Sequence, residues 1–219
     1  MSKINIAIDG PSASGKSTIA KQLCKKLDYK HLDTGAMYRC VALKVVKTGI
    51  DYNDEAALKE LLKGIKIDFS SDGKVFLDGE DVSSAIRTDE ISMMASNVST
   101  KLTVRKHLVK MQQKIAKNKG YIMDGRDIGT VVLPDAEVKI FMTASAETRA
   151  KRRYLENQER GIKSNLRALT QEIIERDYQD SHRKHSPLKK AEDAIEIDTS
   201  EMTIVQVVDE IMQIVEEKL

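Results

Sequence analysis

Residues 10–17 read Gly-Pro-Ser-Ala-Ser-Gly-Lys-Ser and fit the pattern G-x-x-x-x-G-K-[ST] without a mismatch. Ile4, Ile6 and Ile8 alternate up to Asp9-Gly10, which predicts a strand before the loop. Ile19, Ala20, Leu23 and Leu27 recur at helical spacing, which predicts a helix over 17–27 after it. Strand, glycine loop and helix in that order open an α/β fold. Gly10 and Gly15 let the backbone turn where a side chain would clash. The loop N–H groups then point inward at phosphate oxygens, helped by the positive end of the helix. Lys16 reaches the β- and γ-phosphates of a nucleoside triphosphate, and the Ser17 hydroxyl ligates Mg²⁺. The candidate ATP-binding residues are therefore Gly10, Pro11, Ser12, Ala13, Ser14, Gly15, Lys16, Ser17 and Thr18. The bland alternative is a glycine-rich turn with a solvated lysine, which the flanking strand and helix disfavour.

A second helix is predicted over 36–47, with Met37, Val41, Leu43 and Val45 for packing, and another over 102–117 with Leu108, Met111 and Ile115 on one side. Tyr121-Ile122-Met123 reads as a short buried strand ending at Asp124-Gly125. Val138, Ile140 and Met142 mark a further strand, and Ile195 with Ile197 a last one. Basic helical segments cover roughly 147–160 and 170–183, and Ile204, Val207, Val208, Ile211 and Val215 give a closing amphipathic helix. Residues 63–100 have a different texture. Ile65, Ile67 and Phe69 alternate, Val75 to Leu77 follows, and Ser70-Ser71-Asp72-Gly73 and Asp78-Gly79 are turn sequences. This stretch reads as a small antiparallel insertion on a parallel core, or else as a decorated crossover. Pro187 and its lysines mark an exposed loop.

At 219 residues the chain can bury one core with small insertions. It has no apolar run of membrane-spanning length, and because Met1-Ser2-Lys3 leads straight into the first strand, no signal peptide is expected. Cys24 and Cys40, both in helix-like apolar patterns, are expected to be reduced core residues of a cytoplasmic protein. The charge is unevenly spread. Between Arg149 and Lys190 stand twelve of the 36 Lys and Arg residues but only six of the 34 Asp and Glu residues. Such a cluster suits a polyphosphate or a nucleic acid. No Trp and 4% aromatics leave little for stacking bases, so no nucleic-acid partner is expected. Asp124-Gly125-Arg126-Asp127 is not D-x-x-G and Asn118-Lys119-Gly120-Tyr121 is not N-K-x-D, which excludes a switch-type GTPase. No apolar run ending in an acid before a catalytic Glu fits a motor or transporter ATPase. A compact kinase acting on a small acceptor remains.

The acceptor side is carried by charged residues with structural alternatives. Thr34 is placed to cap the second helix. Arg39, in the first turn of that helix, opposes its dipole and so asks for an anion, which an acceptor phosphate supplies. Arg126 and Asp127 follow a buried strand, where ligands of open α/β sheets bind, unless they only pair with each other. Arg176, Asp180 and Arg183 stand at i, i+4 and i+7 on one helix face. Spacing alone makes that face a solvated ion-pair stripe, and makes Arg149, Lys151, Arg152 and Arg153 a solvated helix. Phosphoryl transfer nevertheless needs several cations around the transferring oxygens.

Asp9-Gly10-Pro11-Ser12, Asp33-Thr34-Gly35-Ala36-Met37-Tyr38-Arg39, Asp124-Gly125-Arg126-Asp127-Ile128-Gly129-Thr130 and Glu175-Arg176-Asp177 together resemble the bacterial cytidylate kinase family. The likeness runs over nearly the whole chain, Gly79-Glu80-Asp81-Val82-Ser83 included. It implies a single α/β domain over 1–219: a P-loop kinase core with a parallel β-sheet flanked by helices, a small antiparallel NMP-binding insertion over about 63–100, and a lid over about 147–165. It implies phosphoryl transfer from ATP to CMP or dCMP with Mg²⁺, with Lys16, Arg126, Arg152, Arg153 and Arg176 as catalytic residues. Lys151-Arg152-Arg153 supply the lid cations, none singled out as touching the transferring group. The implied acceptor site is Thr34, Tyr38, Arg39, Ser96, Arg105, Arg126, Asp127, Arg176, Asp180 and Arg183. By the same likeness Ser96, Arg105 and Asp127 face the base, Arg39 and Arg126 hold the acceptor phosphate, and Arg176 and Asp180 meet the sugar with Arg183 nearby. Thr34 stands where serine is also common, which keeps the hydroxyl.

That assignment makes chemical sense. The cytosine N4 amino group is a donor for Asp127, and its N3 and O2 are acceptors for Arg105 and Ser96, whereas uracil has the opposite polarity at N3 and position 4. Direct in-line transfer with water excluded by the lid needs no protein nucleophile, so His31, His107, His182 and His185 are expected to have no catalytic role. The rivals are another small P-loop kinase, acting on UMP or a shikimate-like acid, and an RNA-binding ATPase module. A monomer is the default expectation.

Overall fold

The computed structural model describes residues 3–70 and 72–219; Met1 and Ser2 of the expected lead-in and Ser71 of the expected 70–73 turn lie outside the described residues. In chain order the elements begin with β1 (Ile6–Asp9), α1 (Lys16–Leu27), β2 (Lys30–Asp33), α2 (Thr34–Thr48) and α3 (Glu55–Lys63). Three short strands follow, β3 (Ile67–Phe69), β4 (Val75–Leu77) and β5 (Glu80–Asp81), then α4 (Asp89–Ser99) and α5 (Leu102–Ala116). The chain continues through β6 (Tyr121–Gly125), β7 (Val138–Thr143), α6 (Ala146–Glu159), α7 (Leu166–His182), β8 (Ile195–Asp198) and α8 (Ile204–Glu216). Two compact units share these elements. One takes in the chain up to Leu32 and from Asn118 onward; the other is Asp33–Lys117.

The first unit is built on a five-stranded sheet in the order β2-β6-β1-β7-β8. β1 runs parallel to β6 and β7, and β7 parallel to β8. In register, Asp9 lies beside Gly125 on one side and Phe141 on the other, so the motif-bearing loops leave the sheet at one end. All four residues of β1 are buried, so the isoleucine alternation belongs to a central strand covered on both faces. Ile19, Ala20 and Leu23 of α1 and Val207, Val208, Ile211 and Val215 of α8 join Ile6, Ile8, Ile122 and Ile140 in one apolar core. α8 opens with a capping box, in which Thr203 and Gln206 satisfy each other's backbone N–H groups.

The second unit packs α2, α3, α4 and α5 through fully buried Met37, Cys40, Val41, Leu58, Val98, Val104 and Leu108. It carries the expected antiparallel sheet, with Ile67 opposite Leu77 and Phe76 opposite Asp81. Asp78 and Gly79 join β4 to β5 at φ of 53° and 88°, the left-handed pair that a tight two-residue hairpin demands. α2 starts at Thr34, and its cap is Asp33, whose carboxylate accepts from the Ala36 N–H at 2.9 Å. Thr34 is therefore the buried first residue of the helix, which corrects its expected capping role: an aspartate one residue earlier already fills that position. β2, α3 and α4 were not anticipated from sequence. Both cysteines are free, and burial pushes each thiol up to about 12, which keeps them unreactive. Among the described residues no helix is long and apolar enough to cross a membrane.

Candidate active site

The loop between β1 and α1 is held open by close packing. Gly10 sits at φ 152°, and a Cβ there would come within 2.1 Å of the Met142 carbonyl oxygen. Ala13 takes φ 58°, a left-handed conformation that strains a non-glycine residue by ~1 kcal/mol. Lys16 is buried, and its Nζ donates to the Pro11 carbonyl at 2.6 Å and to Ser14 Oγ at 3.1 Å. Burial, and then the nearby Arg126 charge, bring its pKa down to about 7. An ammonium so poorly solvated gains much from an incoming phosphate.

The Ser17 hydroxyl donates to Asp124 Oδ2 at 2.6 Å, and Asp124 Oδ1 lies 2.6 Å from His31 Nε2. Giving its hydrogen to Asp124 leaves the Ser17 oxygen lone pairs for a cation. A hydroxyl backed by a carboxylate is a hard oxygen set, which fits Mg²⁺ better than a softer metal. Asp9 lies at the end of β1, and its carboxylate accepts from the N–H groups of Ile128 at 2.8 Å and Gly129 at 2.7 Å. Burial raises its pKa to about 6 against those two hydrogen bonds. Asp9 thereby clamps the residue after Asp127, where a single π-turn begins and Leu133 N–H reaches the Ile128 carbonyl at 2.7 Å.

Arg126 and Asp127 both find partners around α7. Arg126 Nε donates to Asp180 Oδ2 at 2.8 Å, and Arg183 lies 3.7 Å from both Asp127 Oδ1 and Asp180 Oδ1. The expected solvated stripe is corrected here. Asp180 and the Arg183 side chain are each only 4% exposed, because the face folds against the loop after β6. Arg183 itself lies just past the helix end, as its C-cap. Burial alone would raise the Asp180 pKa, but Arg126, Arg176 and Arg183 hold it below the usual carboxylate range. Burial works against the Arg126 charge too, and Asp180 more than offsets it.

The α6 arginines, also expected to be solvated, divide. Arg149 is buried and donates to the Ala144 carbonyl at 2.8 Å, the Ser12 carbonyl at 3.1 Å and Asp177 Oδ2 at 2.6 Å. Arg152 donates to the Ser14 carbonyl at 3.3 Å and the Thr199 carbonyl at 2.5 Å. Both therefore brace the phosphate loop through its backbone oxygens. Arg153 lies instead toward the surface, 4.0 Å from Glu156.

In the second unit Arg39 Nη2 donates to Asp33 Oδ2 at 2.8 Å. Because α2 starts at Thr34, Arg39 lies in its second turn and Asp33 supplies the anion, so the dipole argument for a phosphate there loses its force. Its Nε, however, is buried without a hydrogen-bond partner. Arg105 is buried, with its guanidinium 5.6 Å from the Tyr38 ring centroid and Nη1 donating to the Ser99 carbonyl at 3.2 Å. The Ser96 hydroxyl is buried without a hydrogen-bond partner, as an atom kept for a ligand would be.

Sequence reasoning missed the contacts of Asp9, Asp124, Arg149 and Asp177 around the phosphate loop, and the pairing of His31 with Asp124. Asp124 had a readable signal, since an apolar strand ending in an acid commonly backs a phosphate loop. The roles of Arg149 and His31 depend on tertiary contacts more than 90 residues apart in the chain and left no local sign.

The family model described as Cytidylate kinase matches residues 6–217. The chain belongs to the cytidylate kinase family. It is 53% identical over 219 residues to the cytidylate kinase of Ligilactobacillus salivarius (strain UCC118), covering 99% of this chain and 98% of that one. It is 52% identical over 216 residues to the cytidylate kinase of Bacillus cereus (strain ATCC 10987 / NRS 248), covering 97% and 96%. Among solved structures, an uncharacterized protein from Eubacterium ventriosum ATCC 27560 matches with TM-score 0.54 at 14% identity, covering 98% and 99%. Shikimate kinase from Bacteroides thetaiotaomicron matches with TM-score 0.50 at 10% identity, covering 97% and 98%. At such identities these two likenesses speak for the α/β kinase fold alone, and the family membership comes from the sequence.

Proposed function

We propose that this chain transfers the γ-phosphoryl group of ATP directly, in line, to CMP and dCMP, giving CDP and dCDP in pyrimidine nucleotide metabolism. The observation that carries the reading is the cluster of Arg126 and Asp127, just after β6, with Asp180 and Arg183 at the end of α7, of which Arg126 and Asp180 act electrostatically on buried Lys16. A buried, mutually neutralised set of charges next to a phosphate loop is the preorganised environment that phosphoryl transfer needs. The names and near-complete overlap of its relatives support the choice of acceptor.

In this reading the backbone from Gly10 to Thr18 cradles the ATP phosphates, Lys16 neutralises their charge, and the Ser17 oxygen holds Mg²⁺. When bound, that ion would supply positive charge to neutralise the phosphates. Asp127, Arg105 and Ser96 read the cytosine edge. Arg39 and Arg126 are assigned to the acceptor phosphate, Arg176 and Asp180 to the sugar with Arg183 nearby, and Thr34 and Tyr38 are further acceptor contacts. Arg152 and Arg153 belong to a lid over about 147–165, residues 63–100 form the monophosphate-binding insertion, and the enzyme works as a cytoplasmic monomer. The test is ADP release with Mg·ATP and each of CMP, dCMP, UMP, AMP and GMP. Fast turnover with the two cytidine nucleotides alone is expected; equal turnover with UMP would overturn the assignment of Asp127 and Arg105 to the base.

A further inference from the structure

His31, Asp124 and Ser17 come from three separate elements, β2, β6 and α1, and form one hydrogen-bonded chain. Asp124 is 4% exposed, so little water reaches its carboxylate. Oδ2 takes the Ser17 hydroxyl hydrogen, and Oδ1 is met at 2.6 Å by His31 Nε2. A carboxylate only accepts, so the imidazole nitrogen facing it carries the hydrogen. With both oxygens engaged, rotation of the carboxylate about its last bond is restrained, and the Ser17 O–H direction with it. The lone pairs of Ser17 are then aimed before any metal arrives. Removing His31 takes away one of the hydrogen bonds that hold this carboxylate and, through it, the Ser17 hydroxyl.

We propose that His31 is a positioning residue for the metal that accompanies the nucleotide, acting through Asp124 on the Ser17 hydroxyl. The proposal rests on Ser17 being the metal's protein ligand. It gives His31 a positioning role while keeping the expectation that no histidine is catalytic: the contact of His31 is with Asp124, and through it with the group that would hold the metal. Groups that orient a ligand in this way are commonly worth 10- to 100-fold in metal affinity.

The test is a calorimetric titration of the full chain with ADP, in the presence and absence of MgCl2, for the wild type and for Ser17→Ala, His31→Leu and His31→Gln. The gain in ADP affinity on adding Mg²⁺ isolates the metal's contribution from that of the phosphate loop. His31→Leu is expected to cut the gain about tenfold while leaving metal-free ADP binding unchanged. His31→Gln, which keeps an N–H donor, is expected to restore most of it. In an Asp124→Asn background, His31→Leu is expected to add nothing further, as a residue acting only through Asp124 must. If His31→Leu weakens ADP equally with and without Mg²⁺, its role is merely structural and the proposal fails. If Ser17→Ala abolishes the gain and His31→Leu leaves it intact, the role of His31 alone falls. If Ser17→Ala leaves the gain intact, the metal ligand itself was misassigned, and the inference falls with it.

Discussion

Charge is treated in opposite ways at the carboxyl end of the five-stranded sheet and around the small antiparallel sheet. Near β3–β5 the ion pairs lie on the surface: Lys44 with Asp78 at 2.5 Å and Lys47 with Glu80 at 2.7 Å, the latter pair about half exposed or more. Such pairs are solvated before and after folding and contribute little. At the end of the large sheet Asp9, Lys16, Asp124, Asp127 and Asp180 are all buried. Taking those charges out of water costs several kcal/mol per ion, and mutual pairing only partly offsets it. A fold selected for stability alone would have filled these positions with apolar groups. The difference marks where the molecule accepts poor solvation in exchange for strong electrostatics at a reacting phosphate.

Lys16→Met tests that contrast most severely. Turnover is expected to fall about a thousandfold, the scale of losing a principal charge-stabilising group. Stability at pH 7 is expected to hold or rise in a thermal melt, because the folded state has already pushed this lysine down to about 7 and gains nothing from its charge. A clear drop in melting temperature would show that Lys16 is a structural residue and would break the comparison. Arg126→Ala comes next. It leaves Asp180 buried beside a missing partner, and the expected loss is about 3 kcal/mol by urea denaturation. A loss under ~1 kcal/mol would mean that Arg176 and Arg183 neutralise Asp180 without it.

Much of this arrangement was legible in the chain, though unevenly. The phosphate loop, β1, β6, β7, β8 and the closing helix α8 were readable because their signals are local, namely glycine spacing and apolar periodicity. The antiparallel strands were readable from their alternation and the Asp78-Gly79 turn, while the same pattern left open an insertion or a decorated crossover. α3 escaped notice although Asp54 caps it through the Ala56 and Ala57 N–H groups and Leu58 and Leu62, four apart, mark its buried face; the helical signal was present but short. The face of α7 was misjudged for a deeper reason. A stripe of Arg176, Asp180 and Arg183 looks the same whether it faces solvent or Arg126, and only the packing of the loop after β6 decides. Arg149 and His31 act on residues that their own neighbours in sequence say nothing about.

The depressed Lys16 pKa sharpens the comparison through pH. At pH 8 the free enzyme holds this lysine mostly neutral, since its pKa is about 7. A bound triphosphate stabilises the ammonium and raises that pKa, so binding takes up a proton. ATP affinity is therefore expected to weaken as pH rises above about 7, by at most tenfold (~1.4 kcal/mol) per unit. Calorimetry at pH 8 in buffers of differing ionisation enthalpy is expected to show an uptake approaching one proton, absent at pH 5.5 and absent in Lys16→Met. Uptake that survives in Lys16→Met would assign the proton to another group.

The smallest expected effect completes the contrast. Lys47→Ala removes a 2.7 Å contact with Glu80, a distance shorter than the 2.8 Å between Arg126 and Asp180. Distance alone would rank the two alike. Solvation ranks them far apart, because Glu80 without Lys47 simply returns to water, whereas Asp180 without Arg126 has none to return to. The expected change for Lys47→Ala is within ~0.5 kcal/mol by urea denaturation, and it shrinks further at high salt. A cost comparable to that of Arg126→Ala would show that the surface pairs hold the small sheet together, and that burial is not what separates the two kinds of charge in this chain.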